Sequence, residues 1–170
     1  LARGHDVLSV HTPSADGMWW HTDHNAKITY LNELLQHVRT TYGANTAALW
    51  LVGYSGGSEF ITRYFFPHRA NDIETGGFLV FGGGDAPGPE WTGSFSQYAK
   101  SNLSLNLVTG ESDRTADYDA LGGAQETAAF YRSAGFEHVW SHWPREHDHL
   151  TITHEFGTYL GTVIDAYNEE

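Results

Sequence analysis

The strongest constraint on this chain is one junction. Residues 47–52 are continuously apolar, Gly53-Tyr54-Ser55-Gly56-Gly57 follows, and then comes a helical pattern carrying Phe60, Ile61, Tyr64 and Phe65. An apolar run without polar alternation suits a strand buried on both faces, the situation of a parallel sheet covered by helices. Parallel strands need crossover connections, so the rest of the chain must alternate strand with helix.

It does so. Residues 4–10 carry Val7, Leu8 and Val10 and break at Thr12-Pro13, which predicts a strand ending in a loop rich in Trp and His. Ile28, Leu31, Leu34, Leu35 and Val38 predict a helix over 25–42, with Gly43 as its left-handed cap. The helix after Ser55 is expected to end at Pro67. Strands are expected at 77–81 and 103–109, with a polar stretch between them rich in Gly and Pro. A helix over 120–134 ends at Gly135, a fifth strand spans 136–143, and Ile152, Phe156, Tyr159, Leu160, Val163 and Tyr167 outline a closing helix. The fold class is therefore α/β, a mostly parallel sheet with helices on both faces. At 170 residues and 40% apolar, one domain with a sizeable core is expected.

In such sheets ligands sit at the carboxyl ends of the strands, and three groups of reactive residues follow strands. Gly53-Tyr54-Ser55-Gly56-Gly57 is a G-x-S-x-G match in a strand-turn-helix context, where small neighbours accommodate a strained serine and the Gly56 amide can donate to an oxyanion. A serine hydroxyl needs a histidine to take its proton and a carboxylate to orient that histidine. Asp113, just past the fourth strand, is the expected carboxylate, with Asp117 and Asp119 as neighbours that could replace it. His147 and His149 both follow the fifth strand, and the distance to the closing helix favours His147. The order Ser, Asp, His is that of a nucleophile-elbow hydrolase.

Other signals are weaker. Tyr54, Trp19 and Trp20 are the expected substrate contacts, the latter two in a loop that also holds Met18, His21 and His24. Gly82-Gly83-Gly84-Asp85 suggests a close backbone approach and lacks the lysine of a phosphate loop. The cluster His142, His147, Asp148, His149 and His154 allows an alternative, metal-binding reading, although its spacing matches no standard site. A binding module without catalysis is a further alternative. The hydrolase reading calls for no cofactor and no metal.

Nine basic against 21 acidic residues give a charge of −12, unfavourable for nucleic acid and for anionic membranes. No apolar run approaches the roughly 20 residues of a membrane span, and a soluble chain is expected. Cysteine is absent, which excludes disulfides and thiolate metal sites. The expected partner is a small-molecule or polymer-derived ester.

The elbow at Gly53 to Gly57, the Gly110-Glu111-Ser112-Asp113 turn and the loop from Pro144 to His149 together resemble the α/β-hydrolase superfamily. The compact build without an inserted lid is similar to the polyhydroxybutyrate-depolymerase and feruloyl-esterase-like enzymes. The resemblance implies a triad of Ser55, Asp113 and His147, Gly56 as an oxyanion donor, and ester hydrolysis through an acyl-enzyme. The family sheet has three strands before the one matching Val7 to Val10. Their absence raises the expectation that this is the C-terminal portion of a longer hydrolase, completed by an N-terminal segment.

Overall fold

The computed structural model of the chain describes residues 4–169. Its sheet has four parallel strands in the order β1-β2-β3-β4: Ala48–Tyr54, Thr75–Phe81, Ser104–Val108 and His138–His142. Strand order follows chain order, so each crossover carries a helix back across the sheet and every carboxyl end lies on the same side.

The first strand expected, at residues 4–10, does not form. Val7 and Leu8 are exposed, and among the described residues β1 pairs only with β2. Residues 5–10 instead line one wall of a cavity of about 540 Å³, whose other wall includes Leu49 and Leu51 of β1 and Leu31 and Leu35 of the first helix. The apolar residues Val7, Leu8 and Val10 are there, but without a ladder partner they cannot make a strand.

Helix α1, His24–Tyr42, ends as its sequence predicts: Gly43 adopts φ 70° and donates to the Arg39 carbonyl at 3.1 Å. Its apolar face is only half-buried, and its one buried residue is Lys27. After Ser55 the chain runs through α2 (Gly56–Glu59), a π-helix (Phe60–Phe65), α3 (Phe66–Arg69) and a 3₁₀ turn (Ala70–Asp72). Pro67 therefore begins a helix where it was expected to end one. It stands in the first turn of α3, where its missing N–H costs nothing, and the wider π turn precedes it. The polar stretch before β3 contains a helix the sequence pattern does not reveal, α4 (Gln97–Asn102), started by Ser96, whose hydroxyl accepts from the Ala99 amide at 3.1 Å. Helix α5 spans Ala120–Ser133, and α6 spans Phe156–Glu169 behind a 3₁₀ turn at Thr151–Glu155.

Strands β2 and β3 form the centre of the core. On one face Phe78, Val80, Leu105 and Leu107 pack with Phe66, Phe95, Tyr131 and Phe136. On the other, Leu79, Phe81 and Val108 meet Ile152 and Val163. Tyr131 is fully buried and donates to the Thr62 carbonyl at 2.6 Å, and its burial pushes the phenol well above its ordinary range. That bond ties α5 to the helical segment following Ser55. No helix among the described residues is long and apolar enough to cross a membrane.

Candidate active site

Ser55 immediately follows β1 with φ 53° and ψ −125°, a backbone conformation that costs a non-glycine residue energy and persists only where surroundings enforce it. They do so from both sides. The Ser55 amide donates to the Phe81 carbonyl of β2 at 2.9 Å, and the Ser55 carbonyl accepts from Ser58 at 2.8 Å and Glu59 at 3.2 Å. A Cβ at Gly53 would sit 2.7 Å from Ile61, and one at Gly56 would collide with the Trp20 indole, so both glycines are sterically required. Gly57 faces open space, so its part in the motif has no steric origin in this chain.

Three side chains converge at the carboxyl ends of the strands. His149 Nε2 lies 2.9 Å from Ser55 Oγ, and His149 Nδ1 lies 2.9 Å and 3.1 Å from the two Asp113 carboxylate oxygens. Asp113 is 3% exposed, so a charge there has little water to stabilise it and gains most from an imidazole partner. With the carboxylate on Nδ1–H, Nε2 is free to accept the serine proton.

The expectation that His147 would face Ser55 is corrected by this geometry. The His147 ring engages the Arg145 carbonyl at 3.0 Å, while its own carbonyl accepts from the Ser112 amide at 3.0 Å. Gly110 permits that docking, because a Cβ there would strike the His147 carbonyl. Asp148 then turns the chain: its carboxylate accepts from the amides of Leu150 at 3.0 Å and Thr151 at 2.8 Å and from the Thr151 hydroxyl at 2.9 Å, bonds that hold its pKa below the usual carboxylate range. This cap delivers His149, two residues beyond His147, to the serine. Of the alternative carboxylates, Asp119 caps α5 through the Gly122 amide at 2.7 Å and pairs with Arg114, and Asp117 is exposed.

The expected substrate contacts divide. Trp20 lies over Gly56, beside the candidate oxyanion amide. Trp19 packs against Phe60, with ring centroids 5.1 Å apart. Tyr54 supports the base: its hydroxyl donates to the His149 carbonyl at 2.6 Å, and its ring lies 5.0 Å from the imidazole. Buried Lys27 fixes the Trp loop by donating to the carbonyls of Trp19 at 3.1 Å, Thr22 at 2.8 Å and His21.

Two residues that the sequence pattern did not single out also surround the serine. Tyr118 donates to the Gly82 carbonyl at 3.1 Å and lies edge-on to the His149 ring, with centroids 5.4 Å apart. Glu59, one helical turn beyond Ser55, has its pKa raised by burial and by the charge of Asp85, partly offset by Arg63 and His149. The i, i+4 spacing from Ser55 is a sequence signal for Glu59. Among the described residues no group of three or more His, Asp or Glu is arranged to hold a metal, and His142 is stacked on Trp140.

No family model matches the chain, and no curated protein does either. Solved structures do. A Phe-to-Leu variant of SOBER1 from Arabidopsis thaliana superposes with TM-score 0.63 at 15% identity, covering 91% of this chain and 66% of that one. SOBER1 itself gives TM-score 0.62 at 16% identity, covering 85% and 64%. The chain thus spans about two thirds of the length of these structures, and its fold is that of the α/β-hydrolases.

Proposed function

We propose that the chain is a serine hydrolase that cleaves a carboxylic ester through an acyl-enzyme. The observation that carries this reading is the Ser55–His149–Asp113 relay, hung on a serine of φ 53° at a strand-to-helix turn. A packing cluster has no need of a strained serine, and a buried carboxylate on the far nitrogen of the same ring supplies the orientation that a general base requires.

In this mechanism His149 Nε2 takes the Ser55 proton as Oγ attacks the ester carbonyl. The Gly56 amide, at the N-terminus of the helical segment, donates to the tetrahedral oxyanion. His149 then protonates the departing alcohol, and the same ring activates water to release the acid. Asp113 stays charged throughout and stabilises the imidazolium. The Trp20 indole beside Gly56 supports an apolar or aryl acyl group, which agrees with an esterase of the feruloyl-esterase or polyhydroxybutyrate-depolymerase kind. The test is incubation with p-nitrophenyl acetate, acid quench and peptide mapping. An acetyl group on Ser55, lost in Ser55→Ala, is the expected result; turnover with no acyl group at Ser55 in any quench would sink the mechanism.

A further inference from the structure

We propose that the Tyr54 hydroxyl is the tether that sets the reach of the base. By holding the His149 carbonyl it keeps Nε2 within hydrogen-bond distance of Ser55 Oγ, which makes Tyr54 a positioning residue for catalysis and not a contact for the substrate. The inference rests on the reading of Ser55 as nucleophile and His149 as base.

The two groups that must meet come from opposite edges of the sheet. Ser55 follows β1, and His149 lies on the loop after β4, with β2 and β3 between them. Asp113 holds the imidazole at Nδ1, 2.9 Å and 3.1 Å from its two oxygens. A bond at one ring atom leaves Nε2, on the far side of the ring, free to swing on an arc unless the backbone is held as well. The Asp148 cap shapes the turn from within, and the His147 carbonyl docks on Ser112 two residues earlier. Leu150, the next residue, is 72% exposed, so side-chain packing does not fix the loop at this point. The bond that the His149 carbonyl itself accepts comes from Tyr54, at 2.6 Å. Nucleophile and base are thereby set from one dipeptide, Tyr54-Ser55.

Tyr54 is mounted to do this. Its ring packs on Phe156 with centroids 5.3 Å apart, and Phe156 packs on Phe81 of β2 at 4.2 Å. The ring also meets the imidazole, at 5.0 Å and 30°. Gly82 gives the pair room: a Cβ there would lie 3.0 Å from Tyr54 Cε2 and 3.3 Å from both Cε1 and Nδ1 of His149. With φ 60°, the position favours glycine on backbone grounds too. Burial, and then the charges of Asp113 and Asp148, push the Tyr54 phenol above its ordinary range, so the hydroxyl keeps the hydrogen it donates.

Three roles for this hydroxyl give different kinetics. A substrate contact acts on KM, and a bond needed only for the fold acts on the melt. A tether acts on kcat, because a base displaced by a fraction of an ångström still binds substrate but takes the proton less often.

Tyr54→Phe keeps the ring and removes the donor. For this variant and wild type, kcat and KM on p-nitrophenyl acetate are measured with the thermal melt and the low-field NMR resonance of the His149 Nδ1 proton. The tether predicts a kcat about 10-fold lower, KM within about twofold, a cooperative melt, and an Nδ1 proton resonance that is shifted or broadened. A Phe variant with wild-type kcat and an unmoved resonance overturns the proposal. So does a change in KM alone, which makes Tyr54 a substrate contact, and so does loss of the cooperative melt, which assigns the bond to the fold. Fluorophosphonate labelling separates this failure from that of the underlying reading. If wild-type Ser55 is phosphonylated and the Phe variant reacts at the same rate, this inference alone fails. If wild-type Ser55 is inert, the nucleophile reading fails and this falls with it.

Discussion

The centre of the sheet and its β1 edge are built differently, and the nucleophile hangs from the weaker of the two. Phe78, Leu79, Val80, Leu105, Leu107 and Val108 are each 0% exposed, whereas Val52 of β1 is 50% exposed and Leu49 and Leu51 are only half-covered. Beside β1 lies the cavity bordered by residues 5–10 and by the half-buried face of α1. Yet two of the parts that fix the site arise from the centre. The Phe81 carbonyl of β2 anchors the Ser55 amide and Asp113 follows β3, while His149 follows β4, the opposite edge. The covered strands thus anchor the serine and supply the buried carboxylate, and the two edges contribute the elbow and the base.

That contrast can be broken in several places. The largest effect is expected at Asp113→Asn, which keeps the shape and offers the wrong hydrogen-bonding partner to His149; kcat on p-nitrophenyl acetate should fall about 10⁴-fold, while His147→Ala stays within about twofold of wild type. In the covered centre, Phe78→Ala should cost about 3–5 kcal/mol in denaturant unfolding. The edge substitution Val52→Thr should cost less than about 0.5 kcal/mol, and equal costs would erase the distinction between the two regions. Lys27→Met keeps the buried stem and removes the ammonium from three carbonyls, so about 2 kcal/mol should be lost, with a change in Trp fluorescence reporting a loosened Trp19–Trp20 loop.

A further effect is in pH. Tyr131 is protonated in the fold well past the point at which an unfolded tyrosine ionises. Its contribution is complete below about pH 10 and is lost as pH rises above that value, because only the unfolded chain can then release the proton. Stability should fall by up to about 1.4 kcal/mol per pH unit for this group, and Tyr131→Phe should flatten that slope in alkaline unfolding titrations.

Much of this was legible in the residues because the signals were local. A continuous apolar run, a small-residue elbow and a helix could meet in few ways, and Ser55 and Asp113 follow strands that the pattern located to within a few residues. The choice between His147 and His149 was not local. It depends on the docking of the His147 carbonyl onto Ser112 across Gly110, and on the Asp148 cap, neither of which leaves a periodic trace. Residues 4–10 show the opposite failure: the apolar residues of a strand are there, but pairing is a property of a neighbour, and β1 does not pair with them. The π turn at Phe60–Phe65 was hidden for a related reason, since its apolar spacing reads as an ordinary helix until Pro67 is seen to begin α3.

The most direct test of the central claim, that His149 activates Ser55, is fluorophosphonate labelling with peptide mapping of wild type, Ser55→Ala, His149→Ala and His147→Ala. The account predicts modification at Ser55 in wild type and in His147→Ala, and none in the other two. Labelling that survives His149→Ala and disappears in His147→Ala would contradict it.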